Sequence, residues 1–404
     1  MNKPLDGIKI IDMGRVVAAP WCTQVLADMG ADVIKIERPG RGDELRTYGP
    51  SFLKDATGKP TSDSGHYLTV NRNKRSITVD FTVPSGADLI RNLVRDADIF
   101  VENYKVGDLA RYGLDYASLA AENPGLVYCS ITGFGQSGPY ASRGGLDGLF
   151  QGMSGMMSVT GEPDSAPQRV GAFVIDELTG MYAATAILAA LRHREVNQGT
   201  GQHIDLALLD VGVAAMAGRS IEYLIDGTIP KALGSKSPGS TPAQIFECRD
   251  GLLNIQAGAE HHYRGLCDVL GLPELKEDPR FSMRADRNRN EKELIPLLQA
   301  AIRERDVSEL FEALVARNVI AAPIYTVDQT MADPQVQHRE MCRTLPHPVS
   351  GTVPIIASPI RFSATPVEGY RAPPTLGQHT DQVLAERLGL SAAQIEALRA
   401  SGAI

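Results

Sequence analysis

The chain has 404 residues, 43% of them hydrophobic and 22% charged, with a formal net charge of -8. That length and apolar content suffice for two or so domains rather than one core, without disulfide staples. The negative balance argues against general affinity for nucleic acid or an anionic membrane, so any anionic ligand must be met by a local basic cluster.

The amino terminus, MNKPLDGIKIIDMG, enters a strand pattern at once and leaves no room for a signal peptide. Short β-rich runs then alternate with helical patterns: IKIIDM, a helix through CTQVLADMG, ADVIKIER, and later ADIFVENY and GLVYCSITGFG. The alternation predicts an α/β sheet with crossover helices. The stretch VGAFVIDELTGMYAATAILAAL predicts a long helix on which Leu178, Met181, Tyr182, Thr185, Leu188 and Leu191 recur at helical spacing. The faces between them are also apolar, so the helix is expected to be buried nearly all round. Asp176 and Glu177 fall in its first turn, where the helix dipole favours the ionised form, and Arg192, His193 and Arg194 complement the other end.

HIDLALLD predicts a further strand feeding a helix that ends near Asp226-Gly227, and residues 227–240, rich in Gly, Pro, Ser and Lys, read as a linker or exposed loop. A hairpin with Asp250-Gly251 at its turn follows, then helices through Leu266, Ile295 to Ile302 and Leu310 to Val315. The tail carries several prolines and a last short helix. No apolar run approaches the roughly 20 residues of a membrane span. The five cysteines, Cys22, Cys129, Cys248, Cys267 and Cys342, are scattered without a CxxC pair, which disfavours a zinc site or a disulfide framework. The expectation is a cytoplasmic protein that meets neither membrane nor nucleic acid.

Asp176 is either a helix cap or a nucleophile, and on sequence physics alone the N-cap reading stands first. GFGQSG, Gly133 to Gly138, matches a dinucleotide fingerprint after a strand, but Pro139 and Tyr140 follow and no helix opens where a pyrophosphate needs its N-terminus. It reads as a tight glycine turn. Phosphate-loop, serine-hydrolase and zinc-peptidase motifs are absent. His261 and His262 have only Glu260 beside them and read as a solvated loop rather than a metal site. Arg72, Lys74 and Arg75 ahead of one strand, and Arg38 after another, are solvated surface or else two clusters able to receive a phosphorylated ligand.

Taken together, PLDGIKIIDMGRVVAAPWCTQVLADMGADVIKIERPGRGD, VNRNKRSITVD, FVENYKVGDLARYGL, YCSITGFGQSGPY, IDELTGMYAATAILAAL, TGQHIDLALLD, DPRF and PPTLGQHT resemble the class III CoA-transferase (CaiB/BaiF) family, in family order along nearly the whole chain. The resemblance implies that Asp176 is the catalytic nucleophile. It implies coenzyme A contacts from Val16, Arg38, Asn73, Lys74, Asn103, Tyr104 and Arg111, with Arg143 beside a position where the family often carries a basic residue. Gly133, Gly135 and Gly258 belong to loops that supply oxyanion donors in relatives.

Racemases of the family use a His-Asp pair where this chain has Leu146-Asp147, and leucine cannot move a proton. Glu260, near an acidic residue of those racemases, keeps 2-methylacyl-CoA racemisation as the runner-up. A non-catalytic CoA-binding subunit paired with a paralogue is a third reading. Val17 and Tyr48 replace a Gln and a Trp of formyl-CoA transferases and speak against oxalate; the branch implied uses succinyl-CoA and dicarboxylates such as glutarate, citramalate or benzylsuccinate. Coenzyme A enters as the acyl-CoA substrate, with no metal and no nucleotide cofactor. The implied fold is a Rossmann-like large domain built from both termini (residues 1–225 and 331–404), a smaller inserted α+β domain (226–330) and an interlocked homodimer.

Overall fold

The computed structural model describes residues 3–404. Strands β1 (Lys9–Met13), β2 (Asp32–Glu37), β3 (Arg75–Thr78), β4 (Ile99–Glu102), β5 (Val127–Thr132) and β6 (Gln202–Ala207) form one six-stranded parallel sheet in the order β3-β2-β1-β4-β5-β6. Its central strands are buried almost throughout, as a parallel sheet covered on both faces requires. On one face, helices Ala18–Asp28 and Val174–Val196 pack against Ile10, Val33, Ile99, Val127 and Cys129. On the other, Leu89, Ile90 and Leu93 of helix Pro84–Val94 join Val383, Leu384 and Ile395 from the carboxyl-terminal helices over Ile11, Ile34, Ile77 and Phe100.

The strand order reverses direction between β1 and β4. In open α/β sheets ligands bind outside the carboxyl ends of the strands at such a switch point. Here the loops leaving β1 and β4, residues 14–17 and 103–106, lie side by side: the Arg15 N–H donates to Asn103 Oδ1 at 2.9 Å and Asn103 Nδ2 returns a bond to the Arg15 carbonyl at 2.7 Å.

Residues 3–156, 169–226 and 337–404 make up one compact unit; 157–168 and 227–336 make up a second. The second has a three-stranded antiparallel sheet in the order Ile320–Pro323, Leu252–Gln256, Ala243–Glu247. Helices Glu260–Leu270, Glu291–Arg303 and Val307–Ala316 cover it around Phe246, Leu253, Phe281, Leu294 and Leu310. It takes in residues 157–168, which the boundaries read from the sequence leave in the large domain.

Two expectations about the long helix are corrected. It is not buried all round: Ile175, Thr179, Gly180, Ala183, Ala184 and Ile187 face inward, but Met181, Tyr182 and Leu188 are 41%, 49% and 36% exposed. It is also long and apolar enough, by length and composition, to cross a membrane, although half of its most apolar stretch lies inside the protein. A run broken by Asp176, Glu177 and Thr179 does not read as a span residue by residue, yet its average does.

Helices Ala18–Asp28 and Val174–Val196 approach closely because Gly180 has no side chain. A Cβ there would sit 2.8 Å from the Ala18 carbonyl oxygen and 2.9 Å from the Trp21 ring. Gly180→Ala is expected to cost about 1–3 kcal/mol by overpacking, seen as a lower urea midpoint at unchanged m-value.

Candidate active site

The loop after β1 is built under strain. Val16, a β-branched residue, has φ +63°, a conformation that L-residues of its shape avoid. Buried polar groups hold it there. The Val16 N–H donates to Asp43 Oδ1 at 3.1 Å, Lys35 Nζ bonds both the Gly14 carbonyl (2.8 Å) and Asp43 Oδ2 (2.9 Å), and the Gly14 N–H donates to Asp12 Oδ1 at 2.8 Å. Beyond this loop lies a cavity of about 210 Å³ whose lining includes Val16, Val17, Asn103, Tyr104, Gly133 and Asp176. Arg15, Lys105, Arg143 and Leu146 also line it. A neighbouring cavity of about 190 Å³ shares Arg15, Glu44 and Tyr104 with the first, and presents Arg38, Arg41 and Phe81.

Asp176 is 7% exposed and sits in the first turn of helix Val174–Val196, but it is not the cap. Phe173 occupies the N-cap position without a side-chain bond. The cap is Asp147, from helix Asp147–Met153, whose Oδ1 accepts the Ile175 N–H (2.8 Å) and the Asp176 N–H (3.2 Å). The N-cap reading of Asp176 is thereby corrected: an acid 29 residues upstream takes the donors. Burial, then the charge of Asp147, then that of Glu177, push the Asp176 carboxyl up to about 7. Burial and Asp147 also raise Glu177. The helix start was expected to favour ionisation; its donors face Asp147 instead.

Of the residues singled out in the sequence, Val16, Val17, Asn103, Tyr104, Gly133, Arg143, Leu146 and Asp176 meet at one cavity and Arg38 at its neighbour. The others lie elsewhere. The three protons of Lys74 go to Asp12 Oδ2 (3.0 Å), the Pro20 carbonyl (2.9 Å) and Asn71 (3.0 Å), and burial brings its ammonium down to about 8. Asn73 is buried against Asp28 and Arg371. Arg72 pairs with Asp28 at 2.5 Å, and Arg75 with Asp32 at 2.5 Å and Glu386 at 2.9 Å. These basic residues are therefore neither solvated surface nor a free phosphate cluster; every one is matched by a carboxylate from a distant segment.

Arg111 is exposed and paired with Asp108 at 2.8 Å. Tyr48 is exposed, its ring 5.9 Å from that of His66, which meets Phe173 edge-on at 5.1 Å. The Gly135 N–H donates to Thr132 Oγ1 (3.0 Å) and the Gln136 N–H to the Asp205 carboxylate (3.0 Å), so those donors of the glycine loop are engaged within the protein. Gly258 and Glu260 belong to the second unit. The Gly258 carbonyl accepts from Arg287 at 2.7 Å, and Glu260 accepts the Arg284 N–H at 2.9 Å, the first of the influences that hold its carboxyl below the ordinary value. His261 and His262 lie in the first turn of helix Glu260–Leu270 rather than in a loop. Among the described residues no cluster of three or more His, Cys, Asp or Glu could hold a metal.

Sequence reasoning passed over Arg41 and Asp43, and met Asp147 only beside Leu146 in the comparison with the racemases, not as a helix cap. Arg41 stands in the same PGRGD run as Arg38. Asp147 had a signal as well, an acid flanked by glycines in GGLDG, but its partner helix is invisible at that separation.

The family model for CoA-transferase family III matches residues 5–380. Over 383 residues, 95% of each chain, the sequence is 44% identical to the succinate–glutarate CoA-transferase of Agrobacterium fabrum. Over 402 residues, all of this chain and 90% of the relative, it is 37% identical to the succinyl-CoA:glutarate CoA-transferase of Homo sapiens. In structure it is similar to a CaiB/BaiF family protein from Brucella suis, with a TM-score of 0.86, 42% identity and coverage of 96% of this chain and 100% of that one.

The raised carboxyl at position 176 has a linkage consequence. The folded protein holds a proton there that the unfolded chain releases near the ordinary carboxylate value, so this group's stabilising contribution falls as pH rises and levels off above about 7. Asp176→Asn, which cannot ionise, is expected to gain stability over the parent progressively up to that pH. Paired urea titrations from pH 5 to 8 measure it; a constant difference would contradict it.

Proposed function

The chain belongs to CoA-transferase family III and is a CoA-transferase; from that premise we propose that it moves coenzyme A from succinyl-CoA to a dicarboxylic acid through covalent intermediates on Asp176. The observation that carries this reading is a buried carboxylate lining a cavity at the sheet's switch point. The relatives' names, succinate, glutarate and succinyl-CoA, support the substrate class.

Two exposed cations, Arg38 and Arg41, lie in the outer cavity and suit the phosphates of coenzyme A. The pantetheine arm would then run past Arg15 and Tyr104, which both cavities share, to bring the thioester to Asp176. Ionised Asp176 attacks the thioester carbonyl; the C–S bond breaks, the electron pair leaves on sulfur, and an acyl-aspartyl anhydride forms. The thiolate then attacks the aspartyl carbonyl, the first acid departs as its carboxylate, and aspartyl-CoA remains. A second acid runs the sequence backwards. Thioester energy is conserved in each covalent intermediate, so the cycle balances without ATP.

The racemase alternative requires a base that moves a proton at Cα. Leu146, at the position of the racemase histidine, is apolar and lines this cavity. The non-catalytic alternative requires the nucleophile to be lost, and Asp176 is in place.

Incubation with succinyl-CoA and a panel of acids should yield glutaryl-CoA among the new thioesters, read by mass. Asp176→Asn should lower transfer by roughly 10³-fold or more. Because only ionised Asp176 attacks, kcat/KM should fall about tenfold per pH unit below about 7. Deuterium uptake at Cα without an acceptor acid, or normal transfer by Asp176→Asn, would refute the reading.

We also propose that the working enzyme is a homodimer, its chains interlocked as the family resemblance implies. Helix Ala217–Asp226 buries none of its residues and exposes Ile221, Tyr223, Leu224 and Ile225. Met181, Tyr182 and Leu188 of the long helix are exposed as well, and exposed apolar side chains grouped on a helix are what a partner chain would cover. Light scattering after chromatography should give twice the chain mass, and Leu224→Glu with Ile225→Glu should weaken it; a stable, active monomer would disprove the dimer.

A further inference from the structure

Asp147 does more than end a helix neatly. It is 4% exposed and its partner Gln151 is wholly buried. Asp147 Oδ1 takes two backbone donors from the turn that carries Asp176, while Oδ2 accepts Gln151 Nε2 at 2.5 Å. Gln151 in turn accepts the Val170 N–H at 2.8 Å, so the chain leading into the long helix is tied to the same carboxylate. A neutral acceptor such as Asn or Ser would cap the helix equally well. Placing an acid there sets a second negative charge against the nucleophile in a site that water hardly reaches.

We infer that Asp147 drives acylation of Asp176: its carboxylate, fixed beside the nucleophile by the helix end it caps, repels ionised Asp176, and the repulsion is released when Asp176 becomes a neutral acyl derivative. The inference rests on Asp176 being the nucleophile. In the first half-reaction the Asp176 carboxylate and succinyl-CoA become aspartyl-CoA and succinate; one C–S and one C–O bond break, one of each forms, and the negative charge leaves with the acid. Removing a charge that Asp147 opposes makes that exchange more favourable. Burial contributes most to the raised Asp176 carboxyl and the charge of Asp147 comes next, so its titration at about 7 reflects that opposition in part.

Other charged groups around Asp176 do not replace this role. Glu177 follows it on the same helix and is only half-buried. Arg15, Lys105 and Arg143 line the cavity wall from loops and Glu44 from the first position of a short 3-10 helix, Glu44–Thr47. Asp210 on helix Leu208–Ala215 is exposed, and helix Ala18–Asp28 meets the long helix through Ala18 and Trp21. Asp147 is the acid bonded to the backbone of Asp176 itself.

Asp147→Asn keeps the acceptor and removes the charge, and it tests the inference with two readings. One is the equilibrium ratio of aspartyl-CoA to free enzyme at fixed succinyl-CoA and succinate, measured by intact mass and by borohydride trapping at position 176. The other is the acid limb of kcat/KM. A proton and an acyl group neutralise the same carboxylate, so the ratio should drop roughly tenfold for each pH unit by which the limb moves down. A purely structural cap would move neither reading. If Asp147→Asn does not fold, judged by its melting transition, Asp147→Ser gives the same comparison. An unchanged ratio and limb, with the adduct still at position 176, would overturn the role of Asp147 and leave the nucleophile standing. An absence of any adduct at position 176 in the parent would overturn both.

Discussion

The cleft depends on a set of buried ion pairs behind the strand ends. Lys74 meets Asp12, Lys35 meets Asp43, and Arg46 meets both Glu37 and Asp63, all with side chains almost wholly removed from solvent. Such pairs are costly to desolvate and weak evidence of net stability. Their use here is geometric. Asp43 and Lys35 clamp Gly14 and Val16, and Arg46 bonds Tyr67 and the carbonyl of Pro374 from the far end of the chain. The strain of order 1–3 kcal/mol at a residue such as Val16 persists because several charge-assisted bonds hold its backbone. The result is a loop that lines the cavity with Val16, rather than a glycine, in the left-handed conformation.

The same burial acts in opposite senses on the two sides of that loop. For Asp12 and Glu37 burial raises the carboxyl, but Lys74 and Lys35 in the first case and Arg46 and Lys35 in the second outweigh it, and both end below their ordinary values. For Asp176 no cation balances the penalty, and Asp147 and Glu177 add to it. Neighbouring charge, rather than depth, therefore separates the structural acids from the reactive one. A basic residue moved from the scaffold side to the cavity side would erase the difference.

Much of this was legible in the sequence. Buried parallel strands write themselves as apolar runs between helical patterns, and the hairpin at Asp250-Gly251 announces itself by its turn. Asp176 could be found because an acid before a long apolar helix is conspicuous. What could not be read was pairing at a distance. Lys74 and Asp12 are 62 residues apart and Asp147 and Asp176 are 29 apart, so neither the satisfied lysine nor the true helix cap follows from local pattern. The exposed face of the long helix was invisible for a related reason. Periodicity tells how many faces are apolar, not whether each finds its partner within the same chain.

A charge opposed to the nucleophile must also be limited. Free acids in solution ionise in the ordinary carboxylate range, and an aspartate more basic than its substrates holds the CoA group more readily than they do. That bias favours the first half-reaction and disfavours the second, which runs the same exchange in reverse. Too strong a repulsion would leave coenzyme A on the enzyme; none would leave an anhydride too costly to form. The helix cap offers a way to set the level. Asp147 spends much of its acceptor capacity on two backbone N–H groups and on Gln151, which spreads its charge into the helix end and softens its effect on Asp176. The bonds that place the opposing charge thus also moderate it.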